Sequence, residues 1–310
     1  MGECEPLPVG GFKWMTEKEI ENWENIPYIL EVVMEYPEEL HDLHNNYPLA
    51  PESVTVNRVE KLIPNPNHNE RYVIHHRNLK PCLALGMEFK KIHRGIRFDE
   101  KPWLKIYVEK NKDLRKGAKT SFEKDLFKLM NNSVFGKTME NIRKQVDVKF
   151  VNNRKSAETL SARPNFRHLT IFDENLVAVH MKRRKLVFNK PVYCGMCILE
   201  LSKTLMYDFH HDNVKPKYAS RAKLIFTDTE SLMYEIETED VHEDIKSDVE
   251  YKFDTSDFPA DHPSGIQRCN KKVIGTMKDE AAGTIIEEFV GLRAKLYRCT
   301  LEKKRRSAKE

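Results

Sequence analysis

The amino-acid sequence predicts an α+β fold, and three observations support this prediction. Hydrophobic residues make up 40% of the 310 residues, which is enough apolar material for a packed core. Strand-like and helical patterns both occur, but they do not alternate in the strand–helix–strand order of a doubly wound sheet. The mean hydropathy is −0.63, and no apolar run reaches the roughly 18 residues that a membrane-spanning helix needs. We therefore expect no membrane partner.

The first half of the chain is expected to combine strands, loops and short helices. A capping-box pattern predicts a short helix over residues 17–23. Alternating apolar residues predict a half-buried strand over 28–36. The stretch 48–69 is rich in proline and asparagine, which indicates a loop with at most short strands. Residues 103–108 form either a short strand or the start of a helix.

The second half carries the longer elements. Apolar residues at helical spacing predict an amphipathic helix over 121–132 and a buried helix over 192–211. Two apolar runs around a short polar turn predict a β-hairpin over 223–236. Residues 271–297 mix a helical pattern with strand-like ends.

Charge is distributed unevenly, although the formal net charge is only +4. Residues 101–150 contain 13 Lys and Arg against 6 Asp and Glu, whereas residues 235–261 contain 2 Lys against 11 acids. This asymmetry indicates a site for a polyanion at the basic segment, and the alternative is two solvated faces that cancel. Six cysteines in 310 residues are sparse, which favours a reducing, intracellular compartment.

The first candidate site lies on the basic helix. At helical spacing Lys124, Lys128 and Asn132 share one face, where an ammonium group can bind phosphate oxygens. Phe135 offers a flat apolar surface, and Gly136 permits close approach to the backbone. The alternative is an ordinary solvated helix face that ends at a glycine cap.

The second candidate site is the turn of the predicted hairpin, which carries Asp228 and Glu230. Two neighbouring carboxylates repel each other unless a cation neutralises them. Mg²⁺ takes oxygen ligands and is usually held by one or two carboxylates together with substrate phosphates. The turn therefore fits metal-assisted phosphoryl transfer, and the alternative is a solvated acidic turn.

Other polar clusters give weaker indications. The basic runs 182–185 and 303–306 could contact DNA phosphates or act as nuclear localisation signals, and the alternative is a solvated loop and terminus. The dispersed histidines, His75 and His76 among them, show no spacing that predicts metal ligation.

Taken in order, the two sites resemble motifs of family B DNA polymerases. That family carries Lys-x-x-x-Asn-Ser-x-Tyr-Gly, then Asp-Thr-Asp-Ser, then Lys-x-Tyr. Here the corresponding residues are Lys128, Asn132, Ser133, Phe135 and Gly136, then 228–231, then Lys295 and Tyr297. The chain looks most like the protein-primed branch, and within it the polymerases of Maverick/Polinton-type self-synthesising DNA transposons and related viruses.

The resemblance implies a palm-type antiparallel sheet with packed helices and a helical fingers insertion. Residues 1–100 would be a remnant of the N-terminal palm region with long loops, and 101–150 the fingers. Residues 151–300 would form the palm, with its metal-binding hairpin and the start of the thumb, followed by a basic tail over 301–310.

The resemblance also implies roles for individual residues. Asp228 and Glu230 would be the catalytic ligands of Mg²⁺. Lys295 and Tyr297 would bind the primer strand. The nucleotide would be bound by Lys128, Asn132, Ser133, Phe135 and Gly136.

The implied function is template-directed DNA polymerisation in the replication of a mobile or viral element. The implied partners are DNA template–primer, deoxynucleoside triphosphates and a terminal protein as primer, with a nuclear location in a eukaryote. Two departures lead us to expect an N-terminally truncated and impaired enzyme. The family's Asp-x-x-x-Leu-Tyr motif is missing, and Glu230 is one methylene longer than the family's Asp. The alternatives are an inactive DNA- or nucleotide-binding remnant and a product of a decayed element.

Overall fold

The computed structural model describes residues 2–293 and 296–301. They form two compact units: the first comprises residues up to 131 together with those from 197 onward, and the second comprises residues 132–196. The described residues form antiparallel sheets with packed helices, which confirms the α+β prediction. No helix within 2–293 is both long and apolar enough to cross a membrane.

The strands are short to medium in length, and most belong to antiparallel pairs. In chain order they are β1 (Leu7–Thr16), β2 (Tyr28–Glu35), β3 (Glu52–Val56), β4 (Val59–Ile63), β5 (Asn69–His75), β6 (Glu88–Lys101), β7 (Val146–Val151), β8 (Phe166–Asp173), β9 (Leu176–Lys182), β10 (Ala222–Asp228), β11 (Ser231–Ile236), β12 (Phe253–Asp254), β13 (Met277–Lys278), β14 (Ile286–Arg293) and β15 (Leu296–Leu301).

The helices include three of 13 residues or more. In chain order they are α1 (His41–His44), α2 (His76–Ala84), α3 (Lys105–Gly117), α4 (Ser121–Thr138), α5 (Arg154–Ser161), α6 (Val192–Tyr207), α7 (Lys215–Tyr218), α8 (Val241–Ile245) and α9 (Val249–Lys252). A π-helical turn over Asp208–Val214 continues α6.

The main sheet of the first unit has the strand order β1-β6-β2-β5. Its inner strand β2 pairs with β6 on one side and with β5 on the other. Both faces of β2 are buried, since Ile29 and Val33 are covered as well as Leu30, Val32 and Met34. The predicted strand is therefore confirmed, but the expected solvent-facing side is wrong. Side chains from α2 and from Tyr207 at the end of α6 complete this core.

Two predicted elements in the first half differ from the structure. The helix expected over 17–23 is a single 3₁₀ turn over Glu17–Glu19, although the Thr16 backbone N–H does donate to Glu19 Oε2 at 2.9 Å. Asn22 follows at φ 45°, outside the helical region, so the turn cannot continue. The stretch 103–108 is the start of a helix, α3.

The predicted helix at 121–132 exists but differs in length and in burial. Helix α4 runs on to Thr138, and its predicted apolar stripe stays in solvent, with Phe122 73% and Leu129 62% exposed. Helical spacing shows which side chains share a face, but it does not show whether another element covers that face.

Towards the C-terminus two predictions are confirmed, and the helical part of a third is wrong. The buried helix over 192–211 is present as α6 and its π-helical extension, and the hairpin over 223–236 is present as β10 and β11. The described residues of the stretch 271–297, which are 271–293, 296 and 297, contain no helix. Residues 270, 272, 275, 282 and 283 all have positive φ, which breaks a right-handed helix before β14 begins.

The second unit has its own small core. Strands β7, β9 and β8 form an antiparallel sheet with β9 in the centre. Helix α5 packs on this sheet, where Leu160, Val179 and Met181 are buried together. The second unit therefore has three strands and a helix that covers their apolar face, which is what a small sheet needs in order to be stable by itself.

Candidate functional site

The acidic turn of the first unit is a tight hairpin. Strands β10 and β11 pair so that Asp228 lies opposite Ser231, and only Thr229 and Glu230 form the turn. Thr229 has φ 58°, a conformation that a β-branched residue adopts at a cost. Its hydroxyl donates to Asp228 Oδ1 at 3.3 Å. The turn therefore presents its two carboxylates, those of Asp228 and Glu230, from a strained backbone.

The chemistry of the turn fits a hard divalent cation. Asp228 is half-buried and Glu230 is exposed, so both carboxylates are accessible to a ligand from solvent. Mg²⁺ prefers oxygen ligands, keeps several of its waters and binds to one or two carboxylates. The oxygen donors of Asp228 and Glu230 are of the kind that Mg²⁺ takes, and the assignment of the ion to this turn stays a prediction.

Aromatic rings support the strand that ends at Asp228. The ring of Phe226 lies 5.4 Å from that of Phe289 and 5.2 Å from that of Tyr297, centroid to centroid, and Phe289 and Tyr297 are 5.8 Å apart. The structure therefore brings Tyr297 into contact with the acid-bearing hairpin, while the Tyr297 side chain remains 53% exposed. Lys295, predicted to act with Tyr297, lies outside the described residues.

A second group of rings supports β11. Tyr234 stacks on His210, with an interplanar angle of 12°, and its hydroxyl lies 2.9 Å from His210 Nδ1. His210 belongs to the π-helical turn and is only 2% exposed. His211 and His44 continue this cluster, with ring centroids 4.9 Å apart. The hairpin is thereby connected to the core of the first unit.

Burial controls the ionisation of this histidine cluster. Desolvation lowers the pKa of His210 to about 4 and that of His211 to about 3, and it also lowers the pKa of His44. All three rings are therefore neutral near pH 7. Desolvation also raises the pKa of Tyr234, so its hydroxyl stays protonated. Helical periodicity predicts that 210 and 211 are buried, but no spacing rule predicts these ring contacts.

The basic helix α4 carries all five residues of the predicted nucleotide site. Lys128, Asn132, Ser133 and Gly136 are exposed, and Phe135 is half-buried. A Cβ atom added at Gly136 would meet no heavy atom within 4 Å, so the space beside it is open. All five residues lie on one helix, because α4 extends beyond the predicted end at residue 132 and so includes Ser133, Phe135 and Gly136.

The first part of α4 is fixed by a cap and by its neighbour α3. The Glu123 carboxylate accepts from the backbone N–H groups of Lys119 and Thr120 at 2.9 and 3.1 Å, which caps the helix. In the pair of helices, the buried Asn111 donates through Nδ2 to Asn131 Oδ1 at 2.8 Å. The structure thus holds the helix segment around Lys128 against α3.

The second unit presents a separate basic surface. Residues 182–185 are all exposed, and they line a cavity of about 440 Å³ together with Lys149 and Arg163. Clustered Lys and Arg side chains are typical of contacts to the phosphates of nucleic acids. The other basic run, 303–306, lies outside the described residues.

One protein family matches more than half of the chain. The sequence profile of "DNA polymerase type B, organellar and viral" matches residues 4–216. A search of curated proteins finds no match. Among solved structures, an orthorhombic crystal form of phi29 DNA polymerase is 13% identical over 80% of the chain, with a TM-score of 0.49. The phi29 polymerase complexed with primer–template DNA and incoming nucleotide is 15% identical over 78%, with a TM-score of 0.46. The chain spans 38% of the length of each.

Proposed function

Because the chain belongs to the organellar and viral type B DNA polymerases, we propose that it provides the nucleotide-binding helix and the metal-binding hairpin of a DNA-directed DNA polymerase. The reaction is the Mg²⁺-dependent transfer of a deoxynucleotide from a deoxynucleoside triphosphate to the 3′-hydroxyl of a primer on a DNA template, with release of pyrophosphate. The observation that carries this proposal is the strained hairpin, which holds Asp228 and Glu230 beside an aromatic cluster that includes Tyr297.

Each group of residues has a distinct task in this proposal. Lys128 neutralises the triphosphate of the incoming nucleotide, while Asn132, Ser133, Phe135 and Gly136 shape its pocket. Asp228 and Glu230 hold Mg²⁺, which when bound stabilises the negative charge on the reacting phosphate. Lys128 and Asn132 are both exposed on α4, which supports this assignment.

The primer and template contact other parts of the chain. Tyr297, with Lys295, binds the primer strand near the carboxylates, and the contact of Tyr297 with Phe226 supports this role. The basic run 182–185 of the second unit contacts DNA phosphates, in keeping with its exposure. A terminal protein is the proposed primer, and a transposon or virus of the Maverick/Polinton type is the proposed source. The proposed location is intracellular, and nuclear in a eukaryote.

A second candidate function is DNA or nucleotide binding without catalysis. One observation favours it: Glu230, one methylene longer than Asp, stands at the second acid position. A displacement of about 1 Å at a reacting centre can lower a rate by roughly 100-fold. We therefore expect the 310-residue chain to extend a primer slowly or not at all, while it retains affinity for nucleotides.

Primer extension separates the two functions. The purified chain is incubated with template–primer, deoxynucleoside triphosphates and Mg²⁺, alongside the variants Asp228→Asn and Glu235→Gln. Glu235 is an exposed acid on β11 of the same hairpin and serves as the matched control. Extension that is lost only in Asp228→Asn supports the polymerase. Activity that is equal in both variants excludes the hairpin as the catalytic site.

Nucleotide binding is measured independently of turnover. A fluorescent deoxynucleoside triphosphate is titrated with the chain, with Lys128→Ala and with Lys124→Ala, which removes the same charge one turn away. Loss of a charge-assisted contact predicts at least a tenfold weaker affinity in Lys128→Ala, and less than threefold in Lys124→Ala. Equal losses in the two variants would indicate general attraction by the basic helix instead of a nucleotide site.

A further inference from the structure

Three potential metal ligands meet in the first unit, where strand β5 passes into helix α2 beside the end of β6. They are His75, His76 and Glu100, and one ligand atom from each lies within 4.8 Å of the others. His75 is fully buried and His76 is 4% exposed, while the side chain of Glu100 is 16% exposed. This cluster is separate in sequence and in composition from the Asp228 hairpin.

Each residue of the cluster has at least one buried polar atom without a partner. His75 Nε2, both ring nitrogens of His76, and Glu100 Oε2 are buried without a hydrogen-bond partner in the described part of the chain. Unsatisfied buried polar groups are rare in native proteins, and a bound ion or water is the usual explanation for them. One ligand atom from each of the three residues lies within 4.8 Å of the others, which indicates a ligand between them.

Charged groups of both signs surround the cluster, and they leave one carboxylate oxygen and two neutral imidazole rings as its donor atoms. Glu100 pairs with Arg77 through its other oxygen, and Arg77 also lies 3.3 Å from Glu5. The carboxylate of Glu200 accepts from the backbone N–H of His75 at 3.4 Å. Burial lowers the pKa of His76 to about 4 and that of His75 below its usual range, so each neutral ring has a nitrogen lone pair.

We propose that His75, His76 and Glu100 bind a divalent transition-metal ion of the zinc class. Two imidazole nitrogens and one carboxylate oxygen are a common ligand set for Zn²⁺, with water in the fourth position. Zinc–ligand bonds of about 2.0–2.2 Å would draw the three ligand atoms closer together. The ion would connect the β5–α2 junction to β6. Mg²⁺ prefers oxygen ligands, so this site and the hairpin select different metals.

Binding has a consequence for helix α2. Nδ1 of His75 accepts from the backbone N–H of Arg77 at 3.2 Å, and this bond caps the helix. In that neutral ring the proton is on Nε2. Ligation through Nε2 transfers the proton to Nδ1 of the same ring, and the Arg77 N–H loses its acceptor. The Arg77 amide is therefore expected to exchange with solvent faster when metal is bound.

The test uses the full chain after treatment with a chelator. Zn²⁺ binding is measured by competition with a chromophoric chelator, together with the thermal unfolding temperature with and without Zn²⁺. His76→Gln removes one ligand. The control is His68→Gln, because His68 is an exposed histidine that pairs with Glu70. Asp228→Ala shows whether the hairpin contributes, so that failure of the polymerase proposal and failure of this one remain distinguishable.

The expected result is one Zn²⁺ per chain, with at least tenfold weaker affinity and no thermal stabilisation in His76→Gln. His68→Gln should bind Zn²⁺ as the wild type does, and any zinc that Asp228→Ala loses belongs to the hairpin and is not counted towards this site. Zinc affinity that is unchanged in His76→Gln would overturn the proposal. X-ray absorption of the wild-type zinc complex identifies the ligand atoms without a variant. Nitrogen and oxygen ligands alone support the site, and a sulfur ligand refutes it. Absence of binding at micromolar Zn²⁺ in the competition assay also refutes it.

Discussion

Acidification should destabilise the first unit steeply, because its core contains neutral histidines. His76, His210 and His211 are 4%, 2% and 8% exposed, and burial lowers their pKa values to about 4, 4 and 3. In the unfolded chain each returns to about 6.5. Between these values the unfolded state binds more protons, so stability is present near neutral pH and is lost as the pH falls from 6.5 towards 4.

The size of the effect follows from the pKa shifts. Each fully shifted histidine contributes about 1.4 kcal/mol per pH unit inside the window. At pH 5 that amounts to roughly 2 kcal/mol for each ring, or about 6 kcal/mol for the three together. A typical domain is stable by about 5–15 kcal/mol. The loss is thus a large fraction of that stability, and the first unit should unfold at a clearly lower urea concentration at pH 5 than at pH 7.5.

Urea unfolding followed by tryptophan fluorescence measures this unit selectively, because Trp14, Trp23 and Trp103 all belong to it. The measurement is made from pH 7.5 to 5 in the presence of a chelator. His211→Gln removes one titrating ring, so its dependence on pH between 5 and 6 should be shallower by about 1 kcal/mol per pH unit. The exposed His68→Gln should retain the wild-type slope. Equal slopes in His211→Gln and the wild type would show that this ring does not titrate as its burial requires.

Three substitutions test separate contacts. Met181→Ala opens a cavity in the core of the second unit, where Met181 is 1% exposed, and should lower that unit's unfolding free energy by about 2–5 kcal/mol. Hydrogen exchange in β7 to β9 should then accelerate while the tryptophan transition stays in place, and a shift of that transition would contradict independent unfolding. Asn131→Ala leaves the buried Asn111 amide unpaired and should cost about 1–3 kcal/mol in urea unfolding. Unchanged stability would mean that water replaces the lost partner. Tyr234→Phe keeps the ring stack and removes the hydroxyl contact to His210, so β11 amides should exchange about fivefold faster, for a loss of about 1 kcal/mol. Exchange at the wild-type rate would show that this contact does not hold the hairpin.

Sequence patterns identified the elements that have strong local signals. The hairpin around Asp228 was predictable because two apolar runs flank a polar turn, and α6 because its apolar residues are nearly continuous. The pairing order β1-β6-β2-β5 was not predictable, since β6 joins strands that lie far from it in the sequence. Its 14 residues include many charged side chains, which hide the strand signal.

The candidate site was predictable in part, for a similar reason. Asp228, Glu230 and the residues of α4 are ordered in the sequence as motifs. The support of the hairpin comes instead from long-range ring contacts, such as that of Tyr234 with His210. The cluster of His75, His76 and Glu100 likewise forms only when β5 and β6 are brought together through β2. Such juxtapositions follow from sheet topology, which local periodicity does not contain.

The positive φ of Thr229 predicts which residues selection retains at position 229. Asparagine or glycine would adopt φ 58° with less strain, so selection for stability alone would replace threonine here. The threonine hydroxyl also donates to Asp228. Selection that keeps the Asp228 carboxylate in position would preserve this hydrogen bond. Variation at codon 229 among natural copies therefore distinguishes a working gene from a drifting one: purifying selection retains threonine, and neutral drift lets easier turn residues accumulate.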